Sequence, residues 1–214
     1  AAPRRLRPAD LALIAAMTRA AATLIVMPTF KATEFLALAA AERMTHALMV
    51  PAMYNLCLID PSFDPRRLPD WRVGGYGGAP MAPATIANFA EVLPRLQLMN
   101  AYGSTETTSP VTMMPPSETA RRSDSVGCAL PCADILVMDD EGREVPPGTE
   151  GELWLGGPMV VKGYWNNPEA TRDSFVAGYC RSGDIGSVDA EGFVRVFDRK
   201  KDMINRGGFK IFSV

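Results

Sequence analysis

WRVGGYGGAPMAPATIANFAEVLPRLQLMNAYG, residues 71–103, decides the fold. Trp71 to Tyr76 is a short apolar run closed by Gly77-Gly78-Ala79-Pro80, which reads as a buried strand ending in a glycine loop. Pro83 opens a segment of helical composition to about Leu93, because proline is pre-set for the first helical turn. Gln97 to Ala101 is a second apolar run, followed by Tyr102-Gly103. Strand, helix and strand at this spacing imply a parallel sheet covered by helices. In such sheets ligands sit beyond the carboxyl ends of the strands, where both Gly77-Gly78 and Tyr102-Gly103 fall.

The pattern extends upstream. Leu11 to Ala22 has helical composition, and Thr23 to Met27 reads as a strand closed by Pro28. Thr33 is expected to cap a helix to about Met44, with Glu34 in its first turn, and His46 to Val50 reads as a strand stopped by Pro51. Downstream of Arg121 the character changes. Short strands are expected over Ala133–Met138, Gly151–Leu155 and Phe193–Phe197, with turns at Asp139-Asp140-Glu141-Gly142 and Asp189-Ala190-Glu191-Gly192. The fold class is therefore α/β: a partial parallel sheet with flanking helices, followed by a small antiparallel, barrel-like β subdomain. The divisions expected are residues 1–121, 122–197 and 198–214.

Hydrophobic residues make up 47% and charged residues 21% of 214, which excludes a disordered chain. The net charge of −2 provides no general attraction for nucleic acid or anionic lipid, so any anion must be bound locally. The four cysteines lack paired metal spacing and are expected as reduced, buried thiols. The longest apolar runs fall short of the roughly 20 residues of a spanning helix, and a cytoplasmic setting is the default. No Gly-x-Ser-x-Gly elbow and no Walker lysine motif occurs.

Four segments carry candidate chemistry. In Asn100-Ala101-Tyr102-Gly103-Ser104-Thr105-Glu106 the aromatic can stack on a purine, Gly103 lets backbone approach a ligand, Thr105 can donate to a phosphoryl oxygen and Glu106 can ligate Mg²⁺. In Arg181-Ser182-Gly183-Asp184 the carboxylate can accept from both ribose hydroxyls. The others are Asp198-Arg199-Lys200-Lys201-Asp202-Met203-Ile204 with Gly207-Gly208, and the upstream Gly77-Gly78-Ala79-Pro80.

In this order and spacing the four segments resemble the adenylate-forming superfamily, in its acyl-CoA synthetase branch. The resemblance runs from about residue 20 to the end, and the first twenty residues share little of it. It implies that Tyr102 stacks on adenine with Gly77, Gly78 and Ala79 as the other wall, and that Gly103 belongs to the nucleotide site. Thr105 would contact the α-phosphoryl oxygen, Glu106 would hold Mg²⁺, Asp184 the ribose, and Arg199 the ribose or phosphoryl group. Lys201 would be the hinge between large and small domains, Gly207 and Gly208 would lie along the CoA channel, and Pro110 and Val111 would wall the acyl pocket. Ser182 stands where the family usually has threonine, and Cys180 where an aromatic is common.

The implied substrates are a carboxylic acid, ATP (released as AMP) and CoA, with Mg²⁺, in an acid–thiol ligase that passes through acyl-AMP. A homodimer is the assembly considered. Nothing before Gly77 resembles the family's phosphate loop, and its C-terminal domain would follow Val214. The chain thus reads as the second half of the large domain, inactive by itself. Two other readings stay open: a stand-alone adenylation domain serving a carrier protein, and a non-catalytic nucleotide-binding fragment.

Overall fold

The structure is a computed structural model that describes residues 8–201, 204–206 and 209–211. The chain forms two compact units, one of residues 21–101 and 114–124, the other of the remainder. Helix α1 (Pro8–Arg19) begins three residues before the expected Leu11.

The first unit alternates α2 (Ala32–Ala41), β1 (His46–Met49), α3 (Pro51–Ile59), β2 (Val73–Gly77), α4 (Pro83–Val92) and β3 (Gln97–Tyr102). The three strands are parallel, with Met49 opposite Tyr76 and Gly77 opposite Ala101. The glycines of the deciding stretch have a packing role here. Tyr54 is fully buried and lies on β2, stacked on Trp71 at 6.0 Å and edge-on to Phe89 at 5.5 Å. Its hydroxyl donates to the Gly75 carbonyl at 2.9 Å. A Cβ on Gly74 would stand 3.0 Å from that hydroxyl and 2.8 Å from Leu98, so only glycine lets the ring sit there.

Two expectations fail in this unit. Residues 23–27 form no strand: Ile25 and Val26 are exposed, Val26 at 72%, and a β-strand exists only where a neighbouring strand takes up its backbone groups. Thr33 does not cap α2, whose N-cap is Lys31; the Thr33 hydroxyl donates to Asp60 Oδ2 at 2.7 Å instead. Pro51 follows the end of β1, as expected, and also occupies the first turn of α3, where its missing N–H costs nothing.

The second unit contains β4 (Thr112–Met113), β5 (Gly127–Ala129), β6 (Asp134–Met138), β7 (Gly151–Gly156), α5 (Pro168–Ser174), β8 (Phe175–Val176), β9 (Tyr179–Val188) and β10 (Phe193–Arg199). A short antiparallel pair follows, β11 (Ile204–Arg206) and β12 (Phe209–Ile211). The main sheet runs β4-β5-β10-β9-β7-β6 with every neighbour antiparallel, and it is open rather than closed into a barrel. Both acidic–glycine turns form as expected. Asp139 Oδ1 accepts from the Glu141 and Arg143 amides, and Asp189 Oδ1 from those of Glu191 and Phe193.

Alternation along β7 sorts its two faces. Leu153 and Leu155 enter a core with Val111, Val137 and Val194. Glu152 and Trp154 face the other way, where Arg181 meets both: its Nη2 lies 3.2 Å from Glu152 and its guanidinium 5.5 Å from the indole centre. Cys57 and Cys180 are buried, but Cys128 is only partly so and Cys132 is exposed, against the expectation of four buried thiols. No helix among the described residues is long and apolar enough to cross a membrane.

Candidate functional site

The site in the second unit is an open cleft of about 410 Å³. Its shape begins with an irregularity in the sheet. Between the pairs Glu152–Ile185 and Trp154–Arg181, β7 advances two residues while β9 advances four, so Ser182-Gly183-Asp184 bulges out of the ladder. Gly183 takes φ +72°, a left-handed conformation that suits glycine. The Ser182 hydroxyl donates to the Leu153 carbonyl at 2.7 Å and accepts from the Asp184 amide at 3.0 Å, which pins both ends of the bulge. Bulges re-aim side chains next to sites; this one turns Asp184 toward Tyr102, which belongs to the same unit.

There the Tyr102 hydroxyl donates to Asp184 Oδ2 at 2.6 Å, and Arg199 Nε lies 3.2 Å from Oδ1. Arg199 stands directly opposite Asp184 across β10 and β9. Asp184 is only 7% exposed, and the hydroxyl and guanidinium compensate for its burial. Burial pushes the Tyr102 phenol well above its ordinary range, and the neighbouring Asp184 charge adds to this. A carboxylate has about four lone-pair positions, so these two partners leave acceptor capacity for further hydroxyls.

After Tyr102 the chain turns tightly. Thr107 is fully buried, and its hydroxyl bridges the Ser104 amide at 3.0 Å and the Ser109 carbonyl at 2.8 Å. Gly103 fits because a Cβ would stand 2.7 Å from the Ser109 oxygen and 3.0 Å from Pro110 Cα. Gly103→Ala is therefore expected to destabilise this unit by about 1–3 kcal/mol, the cost of overpacking, read by denaturant unfolding. A change below about 0.5 kcal/mol would mean that the turn relaxes.

Glu106, on the 3₁₀ turn Thr105–Thr107, lines the cleft and accepts from the Tyr164 hydroxyl at 2.7 Å. Burial pulls its carboxyl upward, but the hydrogen bond from Tyr164, its own amide and the Arg199 charge outweigh this and hold it below the usual value. Across the cleft Glu152 is 6% exposed and lies between Arg181 and Lys200 Nζ, the latter at 3.5 Å. Lys200 also pairs with Asp140 at 2.9 Å. Cys180 lines the cleft as well, its thiol pushed up to about 11 by burial and the surrounding carboxylates.

Not every expected residue joins this group. Thr105 is exposed at the head of its turn and is not among the cleft-lining residues. The Val111 side chain is fully buried in a core with Val137, Leu153, Leu155 and Val194 and is not among the residues that line this cleft; Pro110 before it is partly exposed. Lys201 is exposed just past β10. Gly77, Gly78 and Ala79 belong to the first unit, at the carboxyl end of β2. There Gly77 has backbone of Ala101 where a Cβ would go, and Gly78 takes φ +78°. Gly207 and Gly208 lie outside the described residues.

The sequence reading missed Tyr164 and the paired role of Glu152. A signal for the first existed: Gly163-Tyr164-Trp165 precedes Asn167-Pro168, the N-cap and first residue of α5, with Asn167 Oδ1 accepting from the Ala170 amide at 3.1 Å.

Among the described residues no cluster of three or more histidine, cysteine or acidic side chains could enclose a metal ion. Glu106, which lines the cleft with Glu152 and Asp173, could supply one carboxylate to a Mg²⁺ held jointly with phosphate oxygens and water.

Known proteins match this arrangement. The chain is 38% identical over 190 residues to the long-chain-fatty-acid–CoA ligase FadD13 of Mycobacterium tuberculosis, covering 89% of this chain and 37% of that ligase. It thus spans little more than a third of that relative's length. The o-succinylbenzoate coenzyme A synthetase MenE of Bacillus subtilis, solved with ATP and magnesium ion, superposes with a TM-score of 0.87 at 27% identity, over 96% of this chain and 42% of that one. The amide bond synthetase McbA of Marinactinospora thermotolerans superposes with a TM-score of 0.83 at 32% identity, over 90% and 39%. The family described as AMP-binding enzyme matches residues 9–165, so the likeness begins well before the expected residue 20. With most of its length matched in this way, the chain belongs to the AMP-binding enzyme family.

Proposed function

We propose that this chain is part of an ATP-dependent acid–thiol ligase of the acyl-CoA synthetase type, which forms an acyl-AMP intermediate and passes the acyl group to CoA. The observation that carries the reading is the buried Asp184 carboxylate, presented on a bulge between the Tyr102 hydroxyl and the Arg199 guanidinium, beside a cleft that also holds Glu106. Asp184 would receive the ribose hydroxyls, Tyr102 would present its ring to the adenine, and Gly77, Gly78 and Ala79 would be nucleotide-binding residues of the first unit. Arg199 would place a fixed cation by the ribose or α-phosphoryl group, and Thr105 would donate to an α-phosphoryl oxygen.

Glu106 would hold Mg²⁺, whose chemistry there is to neutralise charge on phosphoryl oxygens. Lys201 would be the point at which the chain turns between adenylation and thioester formation, and Gly207 and Gly208 would line the CoA path. A carboxylic acid, ATP and CoA are the substrates in this reading, and a cytoplasmic setting accords with them.

The test separates the two half-reactions in the whole ligase. Glu106→Gln should slow acid-dependent pyrophosphate exchange by roughly tenfold or more, since an amide is a poorer ligand for a hard cation and tenfold, about 1.4 kcal/mol, is a part of the charge stabilisation the cation supplies. Acyl transfer from supplied acyl-AMP to CoA should change less. Equal losses in both would make Glu106 structural, and an absence of acid-dependent exchange in the unaltered protein would end the ligase reading.

A further inference from the structure

Glu106 sits on a one-turn segment with a flexible side chain, yet a second stretch of chain, residues 159–164, is fastened to that turn at three points. The Val161 amide donates to the Glu106 carbonyl at 2.8 Å, the Thr108 hydroxyl donates to the Met159 carbonyl at 3.0 Å, and the Tyr164 hydroxyl donates to the Glu106 carboxylate at 2.7 Å. Tyr164 is itself held: its amide donates to the Thr171 hydroxyl at 2.9 Å, and its ring packs edge-on against Phe175 at 5.5 Å. The strap therefore runs from the capped helix α5 through a fixed tyrosine to the carboxylate. Both side chains line the same cleft.

We propose that Tyr164 is a positioning residue for Glu106: its hydroxyl fixes the carboxylate in the orientation that presents it to the cleft. The inference rests on the reading of Glu106 as the carboxylate that faces a nucleotide-bound divalent cation. A ligand carboxylate that is free to rotate binds a metal less well, because its ordering must be supplied at the moment of binding; outer hydrogen-bonding partners remove that cost. Tyr164→Phe deletes the hydroxyl and keeps the ring against Phe175.

The experiment measures affinity for Mn²⁺ in the presence of ATP in the whole ligase, by counting free Mn²⁺ with electron paramagnetic resonance. Affinity for AMP without metal is measured alongside it. Tyr164→Phe should weaken Mn²⁺ binding about tenfold, the usual scale for losing such an outer partner, with metal-free AMP affinity unchanged. Glu106→Gln should weaken it at least as much, and the double variant should be no weaker than Glu106→Gln alone, because the hydroxyl acts only through that carboxylate. Unchanged Mn²⁺ affinity in Tyr164→Phe beside a loss in Glu106→Gln would overturn this inference alone. Additive losses in the double variant, or a parallel drop in AMP affinity, would also overturn it by making Tyr164 a general support. No loss in Glu106→Gln would remove the metal reading of Glu106 and this inference together.

Discussion

Replacing Asp184 by alanine is expected to raise the dissociation constant for AMP roughly ten- to hundredfold. The loss corresponds to about 1.5–3 kcal/mol, the scale of a hydrogen bond to a charged group that is removed while its partner remains. Three features support a large effect. The carboxylate is almost fully buried, it is aimed by a bulge that Ser182 and Gly183 hold open, and its partners include a hydroxyl and a cation. Removing it also leaves the Arg199 guanidinium and the Tyr102 hydroxyl without the acceptor they share. Titration calorimetry with AMP measures the change, and Asp184→Asn, which keeps shape and one acceptor oxygen, should fall between the two. Equal affinity in the original protein and Asp184→Ala would end the assignment of this carboxylate to ribose.

The second large effect is on stability. Tyr54→Ala should destabilise the first unit by about 3–5 kcal/mol, the range for deleting a buried aromatic ring. Tyr54 is in contact with Trp71, Tyr76 and Phe89, and its ring shares with Leu98 the space that Gly74 leaves by lacking a Cβ. Tyr54→Phe should cost about 0.5–1.5 kcal/mol, because the hydroxyl contributes one hydrogen bond, to the Gly75 carbonyl. Urea unfolding followed by Trp fluorescence separates the two variants. A cost under about 1 kcal/mol for Tyr54→Ala would mean that the aromatic cluster collapses to fill the space.

The local sequence determined the strands ending at Met49, Gly77 and Tyr102, and both acidic–glycine turns. In each case short-range chemistry suffices: an apolar run punctuated by glycine or proline, or an aspartate whose carboxylate caps amides two and four residues on. The family was legible for a related reason, since its marks are contiguous runs such as Tyr102 to Glu106. What the sequence misjudged depended on partners elsewhere in the chain. Residues 23–27 have strand composition but remain exposed coil, and Thr33 found Asp60 rather than the helix end.

The site shows the same division. The residue types at Tyr102, Glu106, Asp184 and Arg199 were readable one run at a time, but the sequence reading placed no strand at Arg181-Ser182-Gly183-Asp184. It lies within a ten-residue strand, and only pairing with β7 and β10 turns that stretch into a bulge. Tyr102 meets Asp184 across 82 residues of chain, and Tyr164 meets Glu106 across 58. No local pattern encodes such a meeting. Hydrogen bonds of this kind form because sheet register and packing bring distant groups within 3 Å, and that is decided by the tertiary structure alone.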